Sequence, residues 1–301
     1  MGDSIETADP RHRSVLVVGA NGYLGLAICR ACLRAAAPTA HEDRQRCRPL
    51  PLSRLLLVLE LIIGLGDASS RFVVPDSLSR RRPFVLWSSG CKDYGTTGLH
   101  GDPNLQPHTK TSPLNAPLPS ADGRTPRGSY FGAAFEYASR AALAAAKDKH
   151  ESGLNTLDFA ADAGTILHSL HVDDCAEAEG RHAGFHAIAG KIFNVSGRQY
   201  ETLKEVGDAL AAEYGFTGGA RLGLGPEEIP ADDMTGLLVF GRSQWVDSDK
   251  IRKVTGWADR RLLFSENVGA YRLAYEAAKT QGSDNVGSIS RRMAGDWGER
   301  K

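Results

Sequence analysis

The sequence predicts an α/β fold, a doubly wound parallel sheet, on three observations. Val15-Leu-Val-Val18 runs into a glycine turn and then an apolar helical stretch. A second apolar run, Phe84-Val-Leu-Trp87, ends in paired serines. The later part of the chain carries helix-start signals and amphipathic stretches. With 301 residues, 42% hydrophobic and 24% charged, the chain can bury a full core and form one large or two smaller domains.

Val15 to Val18 are four consecutive apolar β-formers, the pattern of a central strand covered on both faces. The glycines that follow in Gly19-Ala-Asn-Gly-Tyr-Leu-Gly25 have separate tasks. Gly19 permits the tight turn, Gly22 lets the backbone approach a pyrophosphate, and Gly25 lets the helix close onto the strand. The helix, expected over residues 26–37, would present free N–H groups and its positive end to an anion. This context reads as a dinucleotide site; an ordinary glycine-rich βα turn is the alternative.

Residues 55–65 form the longest apolar run, but it contains Glu60 and is far short of the roughly 20 apolar residues that span a bilayer. It reads as a buried strand or helix. Pro83-Phe-Val-Leu-Trp-Ser-Ser-Gly-Cys-Lys-Asp-Tyr-Gly95 reads as a strand whose end carries Ser88 and Ser89, followed by a loop closed at Tyr94-Gly95. Ligands of a doubly wound sheet collect at such strand ends; a polar end-cap and a turn would give the same pattern. Residues 98–127, rich in Pro, Thr, Ser and Asn, read as a long loop over the mouth of the site. In His168-Ser-Leu-His171-Val-Asp-Asp174 the residue types resemble metal ligands, but an N-cap at Asp173 or Asp174 explains the pattern better.

Charge and cysteines narrow the function classes. There are 36 basic and 36 acidic residues, so no nucleic-acid or anionic-membrane partner is expected. Five cysteines, an odd number scattered along the chain, fit a reducing compartment. Cys29 and Cys32 form a Cys-x-x-Cys pair within the expected helix, with no second pair to complete a zinc site. The first 13 residues contain no apolar segment of signal-peptide type. A soluble, cytoplasmic protein is expected.

The chain resembles the extended short-chain dehydrogenase/reductases, the NAD-dependent epimerase/dehydratase family. The matching blocks are the glycine turn, Ser88-Ser89 with Tyr94-Gly95, and Leu170-His-Val-Asp-Asp-Cys-Ala-Glu-Ala178. They continue with Ile192-Phe-Asn-Val-Ser-Gly197 before Tyr200-Glu-Thr-Leu-Lys-Glu-Val206, and Lys250-Ile-Arg-Lys-Val-Thr-Gly-Trp257. The resemblance implies a Rossmann-type NAD(P)-binding domain over 14–165, a substrate-binding portion over 166–280 and a polar tail over 281–301. It implies NAD or NADP as cofactor, held by Gly19, Asn21, Gly22, Tyr23, Leu24, Gly25, Asp67 and Ser88. A small polar substrate is implied, with a homodimer as one possible assembly. Ser89 would orient the substrate oxygen and Tyr130 would exchange the proton.

Members of this family carry the tyrosine in Tyr-x-x-x-Lys, where the cation brings a phenol of pKa near 10 toward neutrality. Here Tyr130-Phe-Gly-Ala-Ala134 has alanine in the lysine's place, and Gly90 occupies the usual position of the strand-end hydroxyl. Tyr200 to Lys204 and Tyr275 to Lys279 match the spacing formally. Both are expected on amphipathic C-terminal helices, where residues at i, i+4 are ordinary neighbours. Only about 60 residues separate Gly25 from Val85, whereas each βαβ unit takes about 30, so the Rossmann domain is expected to carry internal deletions. Two functions follow: hydride transfer on a carbonyl or hydroxyl of a small polar substrate, or cofactor binding without turnover.

Overall fold

A computed structural model describes residues 27–31, 94–113, 130–147, 156–180, 191–225, 228 and 240–294. The chain divides into two compact units, Met1–Val85 and Leu86–Lys301. In the first, residues 27–31 are helical, with Ala27 and Ala31 buried. Their i, i+4 spacing puts them on one helix face, within the helix expected after the glycine turn. The strands expected at Val15 to Val18 and Phe84 to Trp87 lie outside the described residues.

The second unit mixes helices with short strands. Helix α1, Tyr130–Lys147, is rich in alanine, the strongest helix former. Strand β1, Leu157–Phe159, pairs in parallel with β4, Ala220–Leu222, in the register Leu157 to Ala220 and Phe159 to Leu222. Strand β2, Ile166–Leu167, pairs antiparallel with β3, Glu201–Thr202. The β1–β4 pair is therefore the parallel sheet formed among the described residues.

Helix α3, Leu203–Glu213, follows β3 without a break because Thr202 both ends the strand and caps the helix. Its hydroxyl accepts the Glu205 backbone N–H, and the Glu205 carboxylate accepts the Thr202 N–H at 2.7 Å. This reciprocal capping box satisfies two donors that a bare helix end would leave without partners. Leu203, Val206, Gly207, Leu210 and Ala211 are the buried face of α3, the i, i+3, i+4, i+7, i+8 stripe of an amphipathic helix. Gly207 brings that face down onto the strands: a Cβ there would stand 3.1 Å from the Phe159 ring and 3.2 Å from the Ala220 methyl.

The core lies between α1, α3 and β1, with Ala134, Phe135, Ala138, Leu157, Phe159 and Phe240 among its members. Phe159 packs edge-on to Phe240 at 5.1 Å and stacks with Tyr137 at 5.3 Å between ring centroids. Full burial of each phenylalanine contributes about 1.5–3 kcal/mol. Helix α2, Val172–Gly180, and α4, Asp249–Thr255, lie in the connections. α4 stops at Gly256, whose φ of 68° is the left-handed conformation that glycine adopts without strain. Trp257 follows, fully buried with the Arg252 guanidinium 4.6 Å above its ring.

After α5, Val268–Thr280, the chain forms α6, Asp284–Met293, inside the segment expected as a polar tail. Ile289 and Met293 pack against Ala133 on α1, and Val286 is also buried. Three apolar residues spaced by three and four positions in an otherwise polar run suffice to dock this helix. Among the described residues no helix is long and apolar enough to cross a membrane.

Candidate functional site

Gly19, Asn21, Gly22, Tyr23, Leu24, Gly25, Asp67, Ser88 and Ser89 lie outside the described residues. Tyr130 is the first residue of α1, and one turn later comes Ala134, the position where the resemblance would place a lysine. Ala134 is fully buried, in the same apolar cluster as Phe135, Leu157 and Phe159. A lysine Nζ at this point would need a route out of the apolar cluster or a buried counter-charge.

The formal Tyr-x-x-x-Lys of α5 has another role. Tyr275 Oη donates to Glu136 Oε1 at 2.9 Å and Lys279 Nζ donates to the same oxygen at 2.5 Å. Ser290 Oγ, from α6, donates to it at 2.9 Å. Glu136 is buried on α1, so one carboxylate oxygen ties together α1, α5 and α6. Burial raises the Glu136 pKa, but the Lys279, Ser290 and Tyr275 hydrogen bonds outweigh it and hold the group below its ordinary value. Burial pushes the Tyr275 phenol well up, and the neighbouring carboxylate adds to that. A catalytic tyrosine requires the reverse. The other formal pair also separates: Tyr200 precedes β3 and is not helical, its hydroxyl meets His100 Nδ1 at 2.9 Å, and Lys204 pairs with Asp208.

The block around His168 is built as scaffold. The Val246 N–H donates to His168 Nδ1 at 3.0 Å, so Nδ1 is the acceptor and Nε2 carries the proton donated to the Gly197 carbonyl at 2.7 Å. Both ring nitrogens are engaged, and burial holds the ring below the ordinary histidine pKa against the pull of that carbonyl. His171 Nδ1 accepts the Asp173 N–H at 3.1 Å, and the His171 carbonyl accepts the Cys175 N–H. The capping role thus belongs to His171. The N-cap expected at Asp173 or Asp174 is instead His171, because α2 already begins at Val172 and both aspartates fall in its first turn. Their charges there complement the helix dipole. Among the described residues no group of His, Cys, Asp and Glu is placed to hold a metal ion.

Asp174 is 1% exposed; its carboxylate pairs with the Arg261 guanidinium and accepts the Arg261 backbone N–H at 3.1 Å. Arg261 also reaches Glu177 at 3.0 Å, and the Asp174 carbonyl accepts the Trp257 indole N–H. Arg252 pairs with Asp259 at 2.6 Å and donates to the Ser196 carbonyl. Burial raises the Asp259 pKa, and the Arg198 N–H and Arg252 together pull it below its ordinary value. A cleft between these two ion pairs, lined by Ser169, His171, Gly197 and Leu262, holds about 20 Å³. That is the room one water needs, not a dinucleotide.

Tyr94, expected to close the loop after the serines, is buried, and Gly95 after it has a φ of 85°. Tyr94 Oη donates to Asn194 Oδ1 at 2.9 Å while its ring stacks on His108 at 5.5 Å. This contact joins two blocks of the family resemblance that are 100 residues apart. No local pattern could have paired them. The ion pairs Arg261 with Asp174 and Arg252 with Asp259 were equally missed; for the second, the separation of seven residues was a usable signal.

No protein-family model matches the chain, and no curated protein matches it. Among solved structures, it is similar to one from Burkholderia cenocepacia J2315 described as a "putative epimerase", with 18% identity and a TM-score of 0.33. The similarity covers 52% of this chain and 43% of that one, so the match spans less than half of that protein's length.

Proposed function

We propose that this chain is an NAD(P)-binding protein of the dehydrogenase and epimerase type. The observation that carries the reading is the sequence from Val15 to Gly25, an apolar strand pattern running into three glycines spaced by three, followed by helix at residues 27–31. That order supplies the tight turn, the close backbone approach and the helix N-terminus that a pyrophosphate requires. Gly19, Asn21, Gly22, Tyr23, Leu24 and Gly25 would line the phosphates, with Asp67 and Ser88 toward the rest of the cofactor.

Hydride exchange with a carbonyl or hydroxyl of a small polar substrate is the chemistry that a nicotinamide supplies when bound. In that reading Ser89 orients the substrate oxygen and Tyr130 exchanges the proton. Ala134 favours a second reading, binding without turnover: it is fully buried among apolar side chains, so the cation that would lower the Tyr130 pKa has no place one turn along α1.

Thermal unfolding of the full chain with NAD⁺, NADH, NADP⁺ or NADPH tests the common premise. A ligand about 100-fold above its Kd stabilises the folded state by about 2.7 kcal/mol, a clear rise in midpoint. A rise with one cofactor supports the reading and identifies its phosphate preference; four unchanged midpoints would refute it. Turnover of the bound cofactor with a panel of small polyols and sugars then separates the two readings.

A further inference from the structure

Among the described residues, helix α6 meets its neighbours along one face. Val286, Ile289 and Met293 are buried at i, i+3 and i+7, with Ile289 and Met293 against Ala133 of α1 and with Tyr137 and Tyr275 packed beside them. On the other side Arg291 and Ala294 are exposed, and a Cβ at Gly287 would meet the Arg291 side chain of the same helix, 3.7 Å away. The groove that α6 fills is shaped by a missing side chain. A Cβ at Gly132 of α1 would stand 2.8 Å from Ile289 Cδ1 and 3.0 Å from Tyr275 Cε2, so Ile289 sits where that side chain would be.

This attachment can break without damage elsewhere. A helix of ten residues that includes Gly287, Ser288 and Ser290 is too short and too poor in helix formers to persist alone, so α6 is helical because it is docked. When it leaves, Ser290 Oγ exchanges its 2.9 Å donation to Glu136 Oε1 for water, and that buried oxygen keeps Lys279 and Tyr275, both on α5. Glu136 is therefore not orphaned, the event that makes a buried polar contact costly to open. The hinge is complete in advance as well. Gly282, at a φ of 71°, follows the end of α5; its N–H donates to the Lys279 carbonyl and the Ser283 N–H to the Ala278 carbonyl, both at 3.0 Å. The last carbonyls of α5 are thus satisfied by the turn itself. Three buried apolar side chains oppose the entropy of ordering ten residues, a near balance.

We propose that α6 is a strap, which closes over the first two turns of α1 and opens as a unit while the core of α1, α3 and β1 stays folded. Gly132 and Ala133 lie two and three residues after Tyr130, so closure braces the turn to which the hydride-transfer reading assigns proton exchange. The strap itself does not depend on that reading.

Hydrogen–deuterium exchange of the full chain, followed by mass spectrometry on peptides covering α6 and α3, tests it with no ligand present. The α6 amides should be protected, yet exchange about 100-fold faster than those of α3, as a locally opening segment does. Ile289→Ala should speed exchange in α6 by about tenfold or more and leave α3 unchanged. Gly132→Ala, which fills the groove from the α1 side, should do the same, and it decides if the first variant does not fold. Equal exchange in α6 and α3, or variants that speed both together, would overturn the proposal, since α6 would then open only with the whole unit. Unprotected α6 amides in the parent chain would overturn it too, as a strap that never closes. A failed cofactor titration touches none of these readouts.

Discussion

Ala134 is the residue on which turnover and simple binding part company. Its methyl lies in the cluster of Phe135, Leu157 and Phe159 with no exposed surface, so a cation there must be desolvated without a partner. Ala134→Lys is therefore expected to cost about 3 kcal/mol or more, read as a lowered urea midpoint, and to give no turnover. An unchanged midpoint would mean that the lysine finds an outlet toward Tyr130, and would reinstate the catalytic reading. Tyr275 is the complementary case. Its hydroxyl is one of three donors on Glu136 Oε1, so Tyr275→Phe should lower stability by about 1 kcal/mol. Cofactor-induced stabilisation should be unaltered, and its loss in this variant would contradict the structural role of the α5 pair.

Single elements show which local signals decide where structure begins. The junction of β3 and α3 rests on Thr202 and Glu205, whose side chains cap each other's backbone N–H. Thr202→Ala should cost about 1 kcal/mol, measured by urea unfolding, and Thr202→Ser should recover most of it; a neutral Thr202→Ala would show that β2 pairing alone fixes the helix start. This junction is written in the sequence, since Thr202-Leu-Lys-Glu205 is a capping-box spacing ahead of an apolar stripe. Helix α6 was less legible. Val286, Ile289 and Met293 stand among glycine, serine and arginine, a composition that reads as tail until Ala133 on α1 supplies the surface they bury against. At α2 the sequence points to the two aspartates as caps, because their preference for N-cap positions is stronger than that of histidine, whereas the cap is His171.

Across the whole molecule, what the sequence could convey was set by distance along the chain. The capping box is contiguous and readable. Tyr94 with Asn194, Asp174 with Arg261, and Lys250 with the Ile192 carbonyl join residues 58 to 100 positions apart, which only the fold can bring together. These long-range polar contacts also set how the molecule responds to acid. Burial holds His168 and His171 below the ordinary value of 6.5, so the folded state resists a proton that the unfolded chain accepts. Their contribution is complete above about pH 6.5 and falls as the pH drops through that value toward the folded ones, by at most about 1.4 kcal/mol per pH unit for each ring. Glu136 and Asp259 lie below their ordinary 4.5 and 3.8, so their contribution persists through this range and is lost only as the pH falls further. Unfolding free energy measured in urea from pH 8 to pH 3 should thus be level above pH 7, decline from about 6.5, and decline again below about 4.5. His168→Gln, which removes one of the two rings, should flatten the first decline and leave the second. A first decline of equal slope in the variant, or none in the parent chain, would show that these histidines are protonated as readily in the folded state as in the unfolded one.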